Sequence, residues 1–190
     1  MIMKPGLRKF ALTAHVITSV SWFGAVAAFL ALSIAGMTSQ DRELVRAAYL
    51  VMGLTTWFVI VPLALASLLT GVVSSLGTKW GLFRYYWILA KLLITILATL
   101  ILLVHTQPVD LLVSAAAKAT VLSVHLHGAQ LQMVVASGGA LVVLLVVTAL
   151  SYYKPRGMTR YGWRKQQELN KDIAAGDAAA PDQAKVPTTA

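Results

Sequence analysis

Four long apolar runs, residues 10–35, 47–75, 83–106 and 126–152, decide what this chain of 190 residues can fold into. Each exceeds the ~20 residues that carry a helix across about 30 Å of hydrocarbon at 1.5 Å per residue. Burying them in a soluble core fails on composition. Hydrophobic residues make up 58% of the chain and charged residues 12%, about half the charged share of ordinary soluble domains. Within a bilayer the backbone must satisfy its own hydrogen bonds, and runs of this length do so as helices. The expected fold is all-α, a polytopic antiparallel four-helix transmembrane bundle over residues 1–155. A basic and then disordered cytoplasmic tail follows over 156–190.

Charge orients the bundle. The net charge is +9. With the N-terminus, the 76–86 turn and the C-terminal tail on one side, that side holds Lys4, Arg8, Lys9, Lys79, Arg84, Lys154, Arg156, Arg160, Arg164, Lys165, Lys171 and Lys185. The other side holds Arg42, Arg46 and Lys118, balanced by Asp41, Glu43 and Asp110. The positive-inside rule then puts both termini in the cytoplasm and the protein in the cell membrane. Lys4, Arg8 and Lys9 resemble the start of a signal peptide, but the apolar run behind them is too long for one, so an uncleaved first span is expected. The segment "YYKPRGMTRYGWRK" fits a stretch held to anionic lipid, with Tyr and Trp at headgroup depth. Topology accounts for the charge without nucleic acid. The chain has no cysteine, which excludes disulfides, thiolate metal sites and cysteine nucleophiles.

Along the chain, Ser39 or Asp41 can cap the second span. Pro62 is expected to kink it, and Gly128 or Gly138-Gly139 to let helices approach closely. The alanine-rich connection after Pro108 reads as a short surface helix before the fourth span. Beyond Lys171 the composition predicts disorder.

Polar residues inside the runs carry the functional reading, since they cost free energy in hydrocarbon. His15 lies roughly 9 Å past Lys9 at helical rise. His15, Thr18, Ser19 and Trp22 follow i, i+3, i+4, i+7 and share a face. Lys91 lies at a similar depth in the third span, on one face with Trp87 and Thr95. Ser67, Thr70, Gly71 and Ser74 end the second span at this level, and Thr148 and Ser151 reach it from the fourth. The expectation is an interior pocket in the cytoplasmic half. The plainer alternatives are a snorkelling lysine, a packing histidine, and hydroxyls bonded to their own helices. A neutral imidazole can ligate haem iron, and a nearby ammonium can pair with a porphyrin propionate. No acidic residue lies in the spans to neutralise Lys91, which favours an anionic ligand. A second group, His105, Asp110, His125 and His127, lies near the outer surface and suggests copper or zinc. His125 and His127 point apart on a helix, so at most one faces His105.

Residues 7 to about 155 resemble the uncharacterised four-helix integral membrane proteins common in actinobacteria, a domain of unknown function. "LTAHVITSVSWFGAVAAFLAL", "WFVIVPLALASLLTG" and "WGLFRYYWILAKLLIT" carry the similarity, which brings no established activity. More distantly, the chain resembles the four-helix membrane protoporphyrinogen oxidase and the copper-resistance D group. A first-span histidine followed by tryptophan matches His15 and Trp22, a second-span proline before a glycine matches Pro62 and Gly71, and a third-span lysine matches Lys91. That resemblance implies haem b, with His15 as candidate iron ligand and Lys91 as a porphyrin- or proton-handling residue. The chain departs from that group in its longer outer connection and basic tail, so the carried-over expectation is haem binding, not the oxidase reaction. The competing expectations are a non-enzymatic membrane partner or assembly factor, alone or as a homo-oligomer, and metal handling through His105 and His127.

Overall fold

A computed structural model describes residues 4–76, 85–118, 127–153 and 157–179. Among these the chain is helical, with one isolated β-bridge between Tyr85 and Met158. The helices are α1 (Pro5–Thr38), α2 (Arg42–Thr55), α3 (Val61–Leu76), α4 (Tyr86–Val104), α5 (Thr106–Ala117), α6 (His127–Tyr153) and α7 (Arg160–Ala179). A π-helical turn, Thr56–Ile60, joins α2 to α3. Among the described residues, four stretches are long and apolar enough to cross a membrane: Pro5–Thr38, Arg42–Leu76, Tyr86–Ala117 and His127–Tyr153.

These helices overrun the apolar runs that predict them. The 34 residues of α1 extend about 51 Å at 1.5 Å per residue, well beyond a ~30 Å hydrocarbon core. The end of α1 packs with α2 and α5 into a helical layer at one end of the bundle. There the α2 stripe Val45, Ala48, Tyr49, Met52, Gly53 is buried at i, i+3, i+4, i+7, i+8. It meets α1 and the buried α5 residues Val109, Leu112, Ala115 and Ala116. The connection after Pro108 is therefore a packed element of the core.

Local chemistry sets the breaks. The Asp41 carboxylate accepts from the Glu43 and Leu44 amides and caps α2, while the Ser39 hydroxyl accepts from the Asp41 amide. Pro5 opens α1 at a position where its missing N–H costs nothing. Pro62 and Pro108 each lack the N–H that an α-helix would direct at the carbonyl four residues back. Ahead of Pro62 the helix widens, and the Val61 amide donates to the Thr56 carbonyl five residues back. Ahead of Pro108, α4 ends at Val104 and the chain restarts as α5.

The bundle is antiparallel. The end of α1 meets the start of α2, where Gly36 lies so close to the Tyr49 ring that a Cβ there would stand 2.7 Å from it. The start of α1 meets the end of α3 through hydrogen bonds from His15. Trp57 Nε1, in the π turn, donates to Asp110 of α5 at 3.2 Å. α1 and α4 both pack against α3 and α6, and so stand at opposite corners.

Two expectations change here. A Cβ on Gly128, Gly138 or Gly139 would meet nothing within 4 Å, so these glycines leave open space and the close approaches fall elsewhere. The tail is helical over Arg160–Ala179, so the part of the expected disorder between Lys171 and Ala179 is helix, and the rest, 180–190, lies outside the described residues. Its alanines and the Lys, Glu and Gln residues among them have high helix propensity.

Candidate functional site

The polar residues of α1 meet those of α3 in a hydrogen-bonded seam. His15 Nδ1 lies 3.1 Å from the Ser67 carbonyl oxygen and 3.3 Å from Thr70 Oγ1. A carbonyl only accepts, so Nδ1 carries the proton and donates. The other ring nitrogen, Nε2, is left with its lone pair. One turn on, Ser19 Oγ and Ser67 Oγ are 2.8 Å apart, and Thr18 Oγ1 lies 3.4 Å from Thr70 Oγ1. Thr18 also donates to the Ala14 and His15 carbonyls, and Thr70 to those of Ala66 and Ser67.

Gly71 makes the seam possible. A Cβ at that position would stand 3.0 Å from His15 Cε1, closer than the ring tolerates without moving. The i+4 relation to Ser67 places Gly71 on the same face of α3, directly under the imidazole. By these contacts His15 clamps α1 to α3.

Lys91 is half-buried on α4, a helix that packs against α3. The Lys91 Nζ sits 5.4 Å from the Trp87 ring centroid, a cation–π distance. The structure thus brings together His15, Thr18, Ser19, Ser67 and Thr70, while Lys91 makes its cation–π contact with Trp87 on its own helix. Ser74, one turn past Thr70, has a buried hydroxyl with no hydrogen-bond partner among the described residues.

The fourth span does not join. Thr148 is exposed and donates to the Leu144 carbonyl, and Ser151 donates to that of Val147. On α4, Thr95 and Thr99 likewise bond back to Lys91 and Thr95. For these four hydroxyls the plain reading, self-satisfaction on their own helix, holds.

Trp22 leaves the seam. It is 5% exposed and lines a cavity of 320 Å³ that also takes in Phe29, Thr56, His105, Val109 and Met133. No polar pattern announces this cavity in the sequence. The signal that could have found it is the set of small residues Ala98, Ala136, Gly139 and Ala140 on facing helices.

The outer histidines do not assemble into a chelate. His105 Nδ1 donates to the Ile101 carbonyl of its own helix at 2.9 Å, and His127 is exposed at the start of α6. Asp110 is engaged by Trp57. His125 lies outside the described residues. Among the described residues, no group of three or more His, Asp or Glu side chains is placed to hold a metal ion.

Comparison with protein-family models, with curated proteins and with solved structures finds no match for the chain.

Proposed function

We propose that this is a multi-pass cell-membrane protein, both termini cytoplasmic, that binds haem b or a related porphyrin beside the α1–α3 seam. The observation that carries the reading is the Nδ1 hydrogen bond of His15 to the Ser67 carbonyl. Histidines that ligate metals commonly donate their other ring N–H in this way, which fixes the tautomer and orients the ring. His15 Nε2 is then the candidate iron ligand, and Lys91 is the candidate partner of a propionate. Bound haem would supply one-electron chemistry. The chain's own part is to hold the imidazole neutral at Nε2, keep it rigid against Gly71, and offset a carboxylate with Lys91.

The test separates ligation from clamping. His15→Asn places an amide N–H where Nδ1 stands and keeps a donor for Ser67, but removes the ligand atom. Purified wild-type protein, reconstituted with haem, is expected to show a Soret band. His15→Asn should lose that band while unfolding within about 1 kcal/mol of wild type, the worth of a single hydrogen bond. A colourless wild type after reconstitution sinks the proposal and leaves His15 as a clamp.

A membrane-surface role for α7 is favoured by a separate observation. This 20-residue helix carries Arg160, Arg164, Lys165 and Lys171, exposes Tyr161, Trp163 and Ile173, and makes no extensive packing with another helix among the described residues. It fits an element lying on anionic lipid, basic residues at the phosphates and aromatic residues at headgroup depth.

A further inference from the structure

One face of α6 is left uncovered among the described residues. Gly128, Gln132, Val135, Gly139, Val142 and Val146 are all exposed. They recur at alternating steps of four and three residues, which keeps them on one stripe of the helix. The buried residues Gln130, Met133 and Ser137 lie on the opposite side of α6. A Cβ on Gly128 or Gly139 would meet nothing within 4 Å, so a second backbone has room to come close there. No charged residue interrupts the stripe.

Lipid covers apolar side chains without cost, but Gln132 is different. It lies about 7.5 Å past His127 along α6 at 1.5 Å per residue. Its side chain is exposed and makes no hydrogen bond among the described residues. A carboxamide left without partners in hydrocarbon costs free energy. The spacing of the stripe points to what answers it. A repeat of about 3.5 residues is the seam of a left-handed helix pair, crossing at about +20°. Glycine admits a close backbone in such a seam, and valine packs there with little rotamer freedom to lose.

We infer that the stripe seats α6 of a second copy of this chain, in a dimer whose twofold axis runs along the membrane normal. Two copies inserted the same way run parallel, so each residue of the stripe meets its own counterpart at its own depth. Gln132 of one copy then faces Gln132 of the other. An amide both donates and accepts, so the two side chains answer each other with a reciprocal pair of hydrogen bonds. Any other helix would have to bring a polar group to that depth, whereas a second copy does so by symmetry. The inference rests on α6 as a membrane span and is independent of haem at His15.

The chain has no cysteine, so single thiols can report the seam in the full-length protein in liposomes. Under mild oxidation, Val135→Cys, Val142→Cys and Val146→Cys are expected to form disulfide-linked dimers. Leu145→Cys and Thr148→Cys, exposed on the same helix but off the stripe, should stay monomeric. Equal cross-linking of the two sets, or none in either, overturns the inference. Energy transfer between labelled copies, followed as the protein is diluted in lipid, reads the strength of the dimer. Gln132→Leu should weaken it about eightfold, two interhelical hydrogen bonds at about threefold each. Gly139→Leu should weaken it further by holding the helices apart. Gly24→Leu, at an exposed position of α1, should leave it unchanged. A Gln132→Leu dimer as tight as wild type, or a dimer lost in Gly24→Leu, overturns the seam. Labelling of Leu145→Cys by a membrane-impermeant maleimide would show that α6 is not in lipid, and would overturn the membrane reading together with the seam.

Discussion

The imidazole of His15 binds through one nitrogen and keeps the other, and that division depends on a single missing side chain. With Gly71 at its back, the ring reaches the Ser67 carbonyl at 3.1 Å. Adding a branched side chain at Gly71 forces the ring off, because a Cβ alone would already lie 3.0 Å from Cε1. Gly71→Val is therefore expected to cost about 1–3 kcal/mol, the usual range for overpacking. Reversible unfolding in mixed micelles, followed by circular dichroism, measures it. Ser19→Ala removes a 2.8 Å contact with Ser67 and is expected to cost about 0.6 kcal/mol. Interhelical hydrogen bonds in membranes are weak because the separated helices find other partners. A larger loss for Ser19→Ala than for Gly71→Val would show that hydroxyl bonds, rather than close approach, hold the seam.

At the scale of elements, the best-packed part of the molecule is the layer where α2 meets α1 and α5. Tyr49, Met52, Val45 and Leu112 are each 1% exposed. Between membrane-length helices, lipid competes with protein for apolar contact, so burial is shallow. The amphipathic stripe of α2 is buried against α1 and α5. Removing the α2 cap by Asp41→Ala should cost about 1 kcal/mol, read in the same unfolding experiment. For α7, vesicles rich in phosphatidylglycerol should retain the synthetic segment 157–179 at low salt and release it at high salt. Equal binding to neutral vesicles would argue against a charge-driven role.

For the whole molecule, orientation is the property with the widest consequences, because it decides which compartment each site faces. The chain has no cysteine, so single introduced thiols report topology without background. Arg42→Cys and Lys165→Cys lie at exposed positions on the two expected sides. A membrane-impermeant maleimide applied to intact cells should label Arg42→Cys at once and Lys165→Cys only after permeabilisation. The opposite pattern would place the seam in the outer half and the 320 Å³ cavity in the inner one.

Apolar run length alone determined that the chain is helical and has four membrane-length helices, since a hydrocarbon thickness translates directly into residues. Helical periodicity put His15, Thr18 and Ser19 on one face, and Ser67, Thr70 and Gly71 on another. Both faces proved to meet. What periodicity could not say is which faces turn toward each other, because every side of these helices is apolar enough for lipid. Only the tertiary structure decided that Thr148 and Ser151 stay out of the seam and that Trp22 belongs to a cavity. It likewise decided that Gly138 and Gly139 leave space instead of contact. Such facts depend on the facing of helices distant in sequence, where small differences in packing, rather than hydrophobicity, choose the partner.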